Sequence, residues 1–483
     1  MAKSGVKKNY IYNLAYQILA MLAPLITTPY ISRILGAKNI GIYSYTLSIV
    51  TYFTLFLVLG LHMYGQREIA YSQDDLHNQS VIFARVQLYK LITTFICLVL
   101  YIMYTILFSE HRLIMLAQGI AIFTAFFDIS WYFIGCEQFS LMVMRNTIVK
   151  IVGIASVFVF VKSSDDLLLY VFIMALINLL GNLSLWGFLF GRLDRIALNE
   201  INIFKDNRTI IELFIPLIAV QVYNVLDKTM LGSSIGDLVE CGYYEQTTKI
   251  INLCMTIITS FGTVLAPHMA AEFVKGNKER LSEQINNAFI FIGAIMFPVF
   301  WGIVSIVDNM VPWFFGNGYD KVALLIKLYA VVLLIIPISN LASCAILTPS
   351  KQHNKSTIAV IIGALVNFLL NLIIIPHFMS VGAAVATIVA EIIVTVLHLY
   401  YVRDYLNFRV IFVNYAKYCL MALGMGVVSY VVGKMLKCTG INGILLTAVQ
   451  IIAGVMVYGL LTVFVIKDNN VVAKINELRR KVR

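Results

Sequence analysis

The sequence predicts an all-α polytopic membrane protein of about fourteen transmembrane helices. Three observations lead there. The mean hydropathy is +0.86, and 60% of the 483 residues are apolar. Only 13% are charged, about half the roughly 25% of an average soluble protein. A membrane helix takes about 20 apolar residues, so fourteen would use roughly 280, close to the apolar share of the chain. This excludes a soluble enzyme, a disordered chain and a secreted disulfide scaffold. The net charge of +11 would raise nucleic acid as a partner of a soluble protein. Here the excess of cations in cytoplasmic loops accounts for it, and no nucleic acid is expected.

The basic opening MAKSGVKKNY leads into a full-length apolar run with no small-residue cleavage site, which reads as a first membrane helix. Apolar windows bounded by charged or turn-forming residues then place spans at Ile11–Tyr30, Ile42–Leu61, Leu88–Phe108, Leu113–Phe133, Met142–Val161, Leu167–Phe190 and Leu213–Leu231. The second half gives Ile250–Ala270, Ala288–Val307, Val322–Leu347, Thr357–Ile375, Val381–Val402, Tyr415–Val432 and Ile441–Ile466. Charge tests the count. With both termini in the cytoplasm, most of the 36 Lys and Arg fall in inner segments, and a thirteenth-helix ending would scramble that asymmetry. The polar stretch 191–212 links the sixth and seventh spans. In the tail, residues 467–483, Val471, Val472, Ile475, Leu478 and Val482 fall near one helical face and basic residues on the other, as in a helix lying on an anionic leaflet; a frayed, solvated tail is the equal alternative.

An internal repeat is visible. Pro24 pairs with Pro216, Gly36 with Gly232, Gly41 with Gly242 and Gly153 with Gly363, each in a similar local sequence and at a slowly rising spacing. The unit is six helices. An even number returns each copy to the same side, so the repeat is parallel, about an axis along the membrane normal. The expected domains are an N-lobe over 1–190, a cytoplasmic linker over 191–212, a C-lobe over 213–402, two peripheral helices over 403–466 and the basic tail.

The stretch NLAYQILAMLAPLITTPYISRILGAKNIGIYSYTLSIV opens a series of motifs that continues through GLHMYGQREIA (60–70), DISWYFIGCEQF (128–139), RNTIVKIVGI (145–154), NVLDKTMLG (224–232) and VGAAVATIVAEI (381–392). In this order they resemble the bacterial polysaccharide repeat-unit flippases, the Wzx-type members of the multidrug/oligosaccharidyl-lipid/polysaccharide exporter superfamily. The resemblance implies two six-helix lobes in a V plus two peripheral helices. It implies a plasma-membrane protein that moves an undecaprenyl-pyrophosphate-linked oligosaccharide from the inner to the outer leaflet. A polysaccharide polymerase and glycosyltransferases are the expected partners, alongside membrane lipids. A multidrug or cation exporter and a lipid II flippase of the same superfamily are the alternatives.

Buried ionisable groups mark function in a membrane because burying them is costly. Glu391 near a midplane, Asp128 in the inner third of the fourth span and Asp227 in the seventh are the candidates for ion coupling, to H+ or Na+. An acid held by a structural hydrogen bond is the ordinary alternative, and for Asp227 the better one. Phosphate oxygens call for Arg or Lys. Arg33 and Lys228 sit at matching ends of the two repeats, and Arg67 at the inner end of the second span. Snorkelling to the interface explains such cations equally well. It is the reading for Lys90 and Lys150. Tyr52 and Tyr223 lie deeper than the interfacial tyrosines and are the candidates for stacking on sugar rings. No nucleotide-binding loop and no hydrolase motif occurs, so no cofactor and no catalysis are expected. None of the seven cysteines forms a CxxC pair, so no disulfide or metal site is expected.

Overall fold

The computed structural model describes residues 2–233, 235–275 and 278–465, so the expected amphipathic tail lies outside the described residues. Every regular element in them is helical. Ten stretches are long and apolar enough to cross a membrane. Two of these, Met21–Tyr71 and His353–Tyr405, contain 51 and 53 residues. At 1.5 Å per residue each would be more than twice the roughly 30 Å of a bilayer core. Both are interrupted. Helix α1 (Ala2–Val58) breaks at Gly36, where φ is 73°. That backbone conformation costs a glycine nothing. Helix α14 (His353–Val402) breaks at Met379, φ 52°.

The chain divides into two compact units. The first holds residues 1–245 with 368–383, the second 246–367 with 384–483. In the first unit, α1 packs on α3 (Leu76–Phe108), α7 (Phe139–Phe160) and α9 (Asn207–Gly232). Helix α2 (Leu61–Tyr71) rests on α6 (Ser130–Gly135), and α5 (Ile120–Phe127) on α8 (Leu167–Leu189). The expected single span Leu113–Phe133 is therefore built of three pieces, α4 (Arg112–Gln118), α5 and α6, with a break at Asp128 and Ile129. Trp131, Tyr64, Phe133 and Ile69 form the buried centre of this region. Helix α7 carries Arg145 and Lys150 within it. Arg145 is accommodated because its Nη1 donates to Asn182 Oδ1 at 2.7 Å.

Helix α10 (Leu238–Lys275) begins in the first unit. Its start approaches α1 backbone to backbone. A Cβ on Gly41 would fall 1.7 Å from the Leu238 carbonyl oxygen, and one on Gly242 would fall 2.0 Å from that of Ala37.

In the second unit, α11 (Lys278–Phe314) packs on α13 (Val332–Ala342), α15 (Phe408–Lys437) and α16 (Gly443–Val465). Helix α12 (Asp320–Tyr329) precedes α13, which contains Pro337 and runs into a π-helical turn at Ser343–Leu347. Large apolar side chains such as Phe95, Phe108, Val159, Phe412, Leu420 and Val455 point outward from the long helices. Apolar surface on this scale suits a hydrocarbon solvent and would aggregate in water.

Candidate functional site

Two polar clusters lie inside the first unit, in the midst of apolar helices. The first joins α1, α9 and the start of α10. Lys228 Nζ lies 2.7 Å from Glu245 Oε2. Ser44 Oγ donates to the same carboxylate oxygen at 2.8 Å. One residue before Lys228, the Asp227 carboxylate accepts on both oxygens. Tyr244 OH donates to Oδ2 at 2.5 Å and Asn371 Nδ2 to Oδ1 at 2.6 Å. One residue after it, Thr229 Oγ1 is hydrogen-bonded to Ser48 at 2.8 Å and to Tyr52 OH at 3.1 Å. Three sequence candidates, Tyr52, Asp227 and Lys228, therefore meet in one polar cluster. Asp227 is 4% exposed; burying a carboxylate needs partners on both oxygens, and it has them.

The second cluster lies where the fourth span breaks. Lys90 is 0% exposed. Its Nζ donates to the main-chain oxygen of Asp128 at 2.9 Å. The Asp128 carboxylate accepts from the Ser130 N–H at 2.9 Å, closing the turn that leads into α6. His62 and Lys90 both act electrostatically on Asp128, and His62 Nε2 is buried without a hydrogen-bond partner. The expectation that Lys90 snorkels is wrong: its ammonium is buried in the bundle, where the broken helix leaves the Asp128 carbonyl free to accept a hydrogen bond from it.

The remaining candidates are Arg67, Arg33, Tyr223 and Glu391. Arg67 pairs with its neighbour Glu68 at 3.0 Å and is substantially exposed. Arg33 is exposed, three residues before the Gly36 break. Tyr223 is half-buried on α9. Glu391 belongs to the second unit and is half-buried on α14.

Sequence reasoning missed a third group. Sequence reasoning gives Arg85 no role beyond the general excess of cations in inner segments, yet it is buried. Its Nη1 donates to Asp206 Oδ2 at 2.9 Å and to Tyr64 OH at 3.1 Å, and Tyr64 OH donates to Asp206 at 2.5 Å. His77 meets Glu200 at 2.7 Å. The Ala197 N–H, followed by His77, holds the exposed Glu200 carboxyl below the usual range. The segment 191–212 is thus tied to α2 and α3 by two acids. The signal was the four acids Asp194, Glu200, Asp206 and Glu212, set against four cations in the same segment. Among the described residues, no group of three His, Cys, Asp or Glu side chains is placed to hold a metal ion.

The profile of the family described as "Polysaccharide biosynthesis protein" matches residues 6–273, more than half of the chain. A "Putative O-antigen transporter" of Escherichia coli (strain K12) is 22% identical over 410 residues, covering 83% of this chain and 98% of that one. Among solved structures, a lipid II flippase MurJ in an inward closed conformation superposes with a TM-score of 0.75 at 18% identity, covering 94% of this chain and 98% of the other. An inward-facing multidrug resistance MATE transporter of the MOP superfamily gives 0.61 at 14% identity, covering 80% and 94%. At such identities the two structures speak for the fold alone. The match over more than half of the chain and the shared fold converge: this chain belongs to the polysaccharide biosynthesis protein family, a polytopic membrane protein with the fold of these MurJ and MATE structures.

Proposed function

We propose that the protein is a flippase that carries an undecaprenyl-pyrophosphate-linked oligosaccharide repeat unit from the inner to the outer leaflet of the cell membrane by alternating access, for surface polysaccharide synthesis. The observation that carries this reading is the match to the O-antigen transporter relative, which extends over nearly the whole of that protein. Fold alone would leave the cargo open.

Fourteen crossings fit the helices. The ten apolar stretches become twelve when the two interrupted ones are each counted twice, and α9 and α10 supply the rest. Both termini are then cytoplasmic. The parallel six-helix repeat is supported by the reciprocal contact of Gly41 and Gly242.

The pyrophosphate needs cations. Lys228 is held by Glu245 in the present state, so an arriving phosphate oxygen would exchange with a carboxylate oxygen at an ammonium already positioned. Arg33 and Arg67 are the further cations, and Tyr52 and Tyr223 the rings for sugars. Asp128, Asp227 and Glu391 are the acids through which an H+ or Na+ gradient would act, each biasing one of two conformations.

Deleting the gene tests this. Surface polymer should be lost while lipid-linked repeat units accumulate on the inner leaflet. Normal polymer with raised drug sensitivity would replace the flippase reading by the exporter one.

A further inference from the structure

We infer that the cavity between α1, α4–α5 and α8 in the first unit is a binding subsite for a neutral hydroxyl-bearing ring, one monosaccharide of the lipid-linked glycan. The inference rests on the flippase reading and deepens it.

The cavity measures 200 Å³. At about 30 Å³ of liquid volume per water, that is room for about six or seven waters or one sugar ring. It is smaller than the roughly 300–1,000 Å³ of pockets that take drug-sized molecules. Its wall includes Tyr43 from α1, Gln118 at the end of α4, Thr124 from α5, and Asn178 and Asn182 from α8.

Gln118 is what points to a ligand. It is 3% exposed, and its Nε2 has no hydrogen-bond partner. A buried amide donor without an acceptor is costly and rare, so it calls for a group not yet in place. Asn182 makes the contrast. Its Nδ2 donates to the Thr124 carbonyl at 2.8 Å, and its Oδ1 accepts from Arg145 at 2.7 Å, so it is fixed as wall. Asn178 uses only its Nδ2, on the Met174 carbonyl at 2.8 Å, which leaves a carbonyl oxygen to accept. The Tyr43 hydroxyl is engaged by Tyr170, and its ring remains as a face beside the cavity.

The chemistry of this set selects the ligand. An amide donor and an amide acceptor match a molecule that both accepts and donates, as a hydroxyl does. Among the described residues the lining holds no charged side chain, which disfavours the pyrophosphate here and leaves it to the cations elsewhere. A purely apolar guest would leave Gln118 unsatisfied. A pyranose presents hydroxyls at its edge and a C–H face to an aromatic ring.

Two measurements test it on the full-length protein. Both use Gln118→Leu and Gln118→Met, which keep the volume and remove the donor, and Asn178→Leu. The first is flipping in liposomes of undecaprenyl pyrophosphate bearing one hexose, against the same lipid without sugar. The variants should slow the glycosylated lipid about tenfold, the loss of one hydrogen bond, and leave the bare lipid unchanged. The second is the thermal midpoint in detergent with a panel of free neutral monosaccharides, where at least one should stabilise wild type and not the variants. Wild-type flipping with no dependence on Gln118 or Asn178 and no sugar-induced shift overturns the subsite, and the cavity then holds water only. If wild type flips neither lipid while the Gln118-dependent sugar shift persists, the flippase reading fails and the subsite stands.

Discussion

Gly41 and Gly242 meet with no room for a methyl group between their helices, and the contact is reciprocal. Gly41 faces the carbonyl of Leu238, and Gly242 faces that of Ala37. Residues 37 and 238, and 41 and 242, stand at one spacing, 201 residues. Ser44 and Glu245, which hydrogen-bond at 2.8 Å, stand at the same spacing. Reciprocal contact of this kind is what two copies related by a two-fold make. The pairs 41 with 242 and 44 with 245 follow one another by a single helical turn. A two-fold crossing the helices would bring only one such pair together; an axis running along them brings both. The contact therefore supports a parallel repeat.

The glycine contact makes the first prediction. Gly41→Ala and Gly242→Ala each force backbone apart from backbone, and overpacking of this kind costs about 1–3 kcal/mol. Each variant should lower the thermal midpoint in detergent and fail to complement a deletion strain. Gly153→Ala is the control, since a Cβ there meets nothing closer than 3.9 Å, and it should behave as wild type. Equal behaviour of all three would mean that the helices separate freely at this point.

Lys228 and Glu245 separate a structural from a binding role. Removing one member of a mostly buried pair costs roughly 3–5 kcal/mol, because the other charge is left behind. Lys228→Ala should therefore reduce the amount of folded protein in the membrane, and Glu245→Gln likewise. The double variant Lys228→Met with Glu245→Met removes both charges and should recover abundance. If Lys228 holds the pyrophosphate, that double variant stays inactive in flipping assays although it is folded. Recovery of transport along with abundance would make the pair structural only.

Hydropathy exposed the helices because lipid-facing positions must be apolar whatever the packing. It did not expose the breaks. The Asp128 break is set by a side chain closing its own turn on the Ser130 N–H and by Lys90 filling the orphaned carbonyl, and Lys90 lies 38 residues away in sequence. The same holds for Arg85. Positive charge near an inner helix end has a sufficient general explanation, so only the fold shows that Asp206 and Tyr64 claim this one. Asp227 was more legible, since an acid in a membrane helix needs partners; that these are Tyr244 and Asn371 was not.

Topology offers a direct check on fourteen crossings. Reporters fused at Lys205, Lys278 and Lys351 should read as cytoplasmic. Reporters at Lys162, Asp237 and Lys434 should read as external. Lys278 decides most, because it follows α10, whose crossing rests on length more than on an unbroken apolar window. An external signal there removes one crossing between Lys205 and Lys278 and inverts every later loop.

The three acids differ in what a neutral substitution would do, and that makes ion coupling testable. Asp227→Asn puts an amide where Tyr244 and Asn371 both donate. One of those bonds must be lost, so the variant should lose stability as well as any coupling. Asp128→Asn keeps the oxygen that accepts from Ser130 and removes the charge beside Lys90 and His62. Its effect on folding should be that of a buried ammonium losing its counter-charge. Glu391→Gln is the cleaner probe, since a half-buried side chain loses its titratable charge at constant shape. Transport in liposomes should be measured with an imposed proton gradient, a sodium gradient, and neither. If Glu391 carries the coupling, the Gln variant retains cargo binding and a gradient-independent rate, and the acceleration by one of the two gradients disappears. A Glu391→Gln protein that responds to both gradients as wild type does would assign the coupling to Asp128 or Asp227. Asp128→Asn, assayed at matched folded amounts, then decides between them.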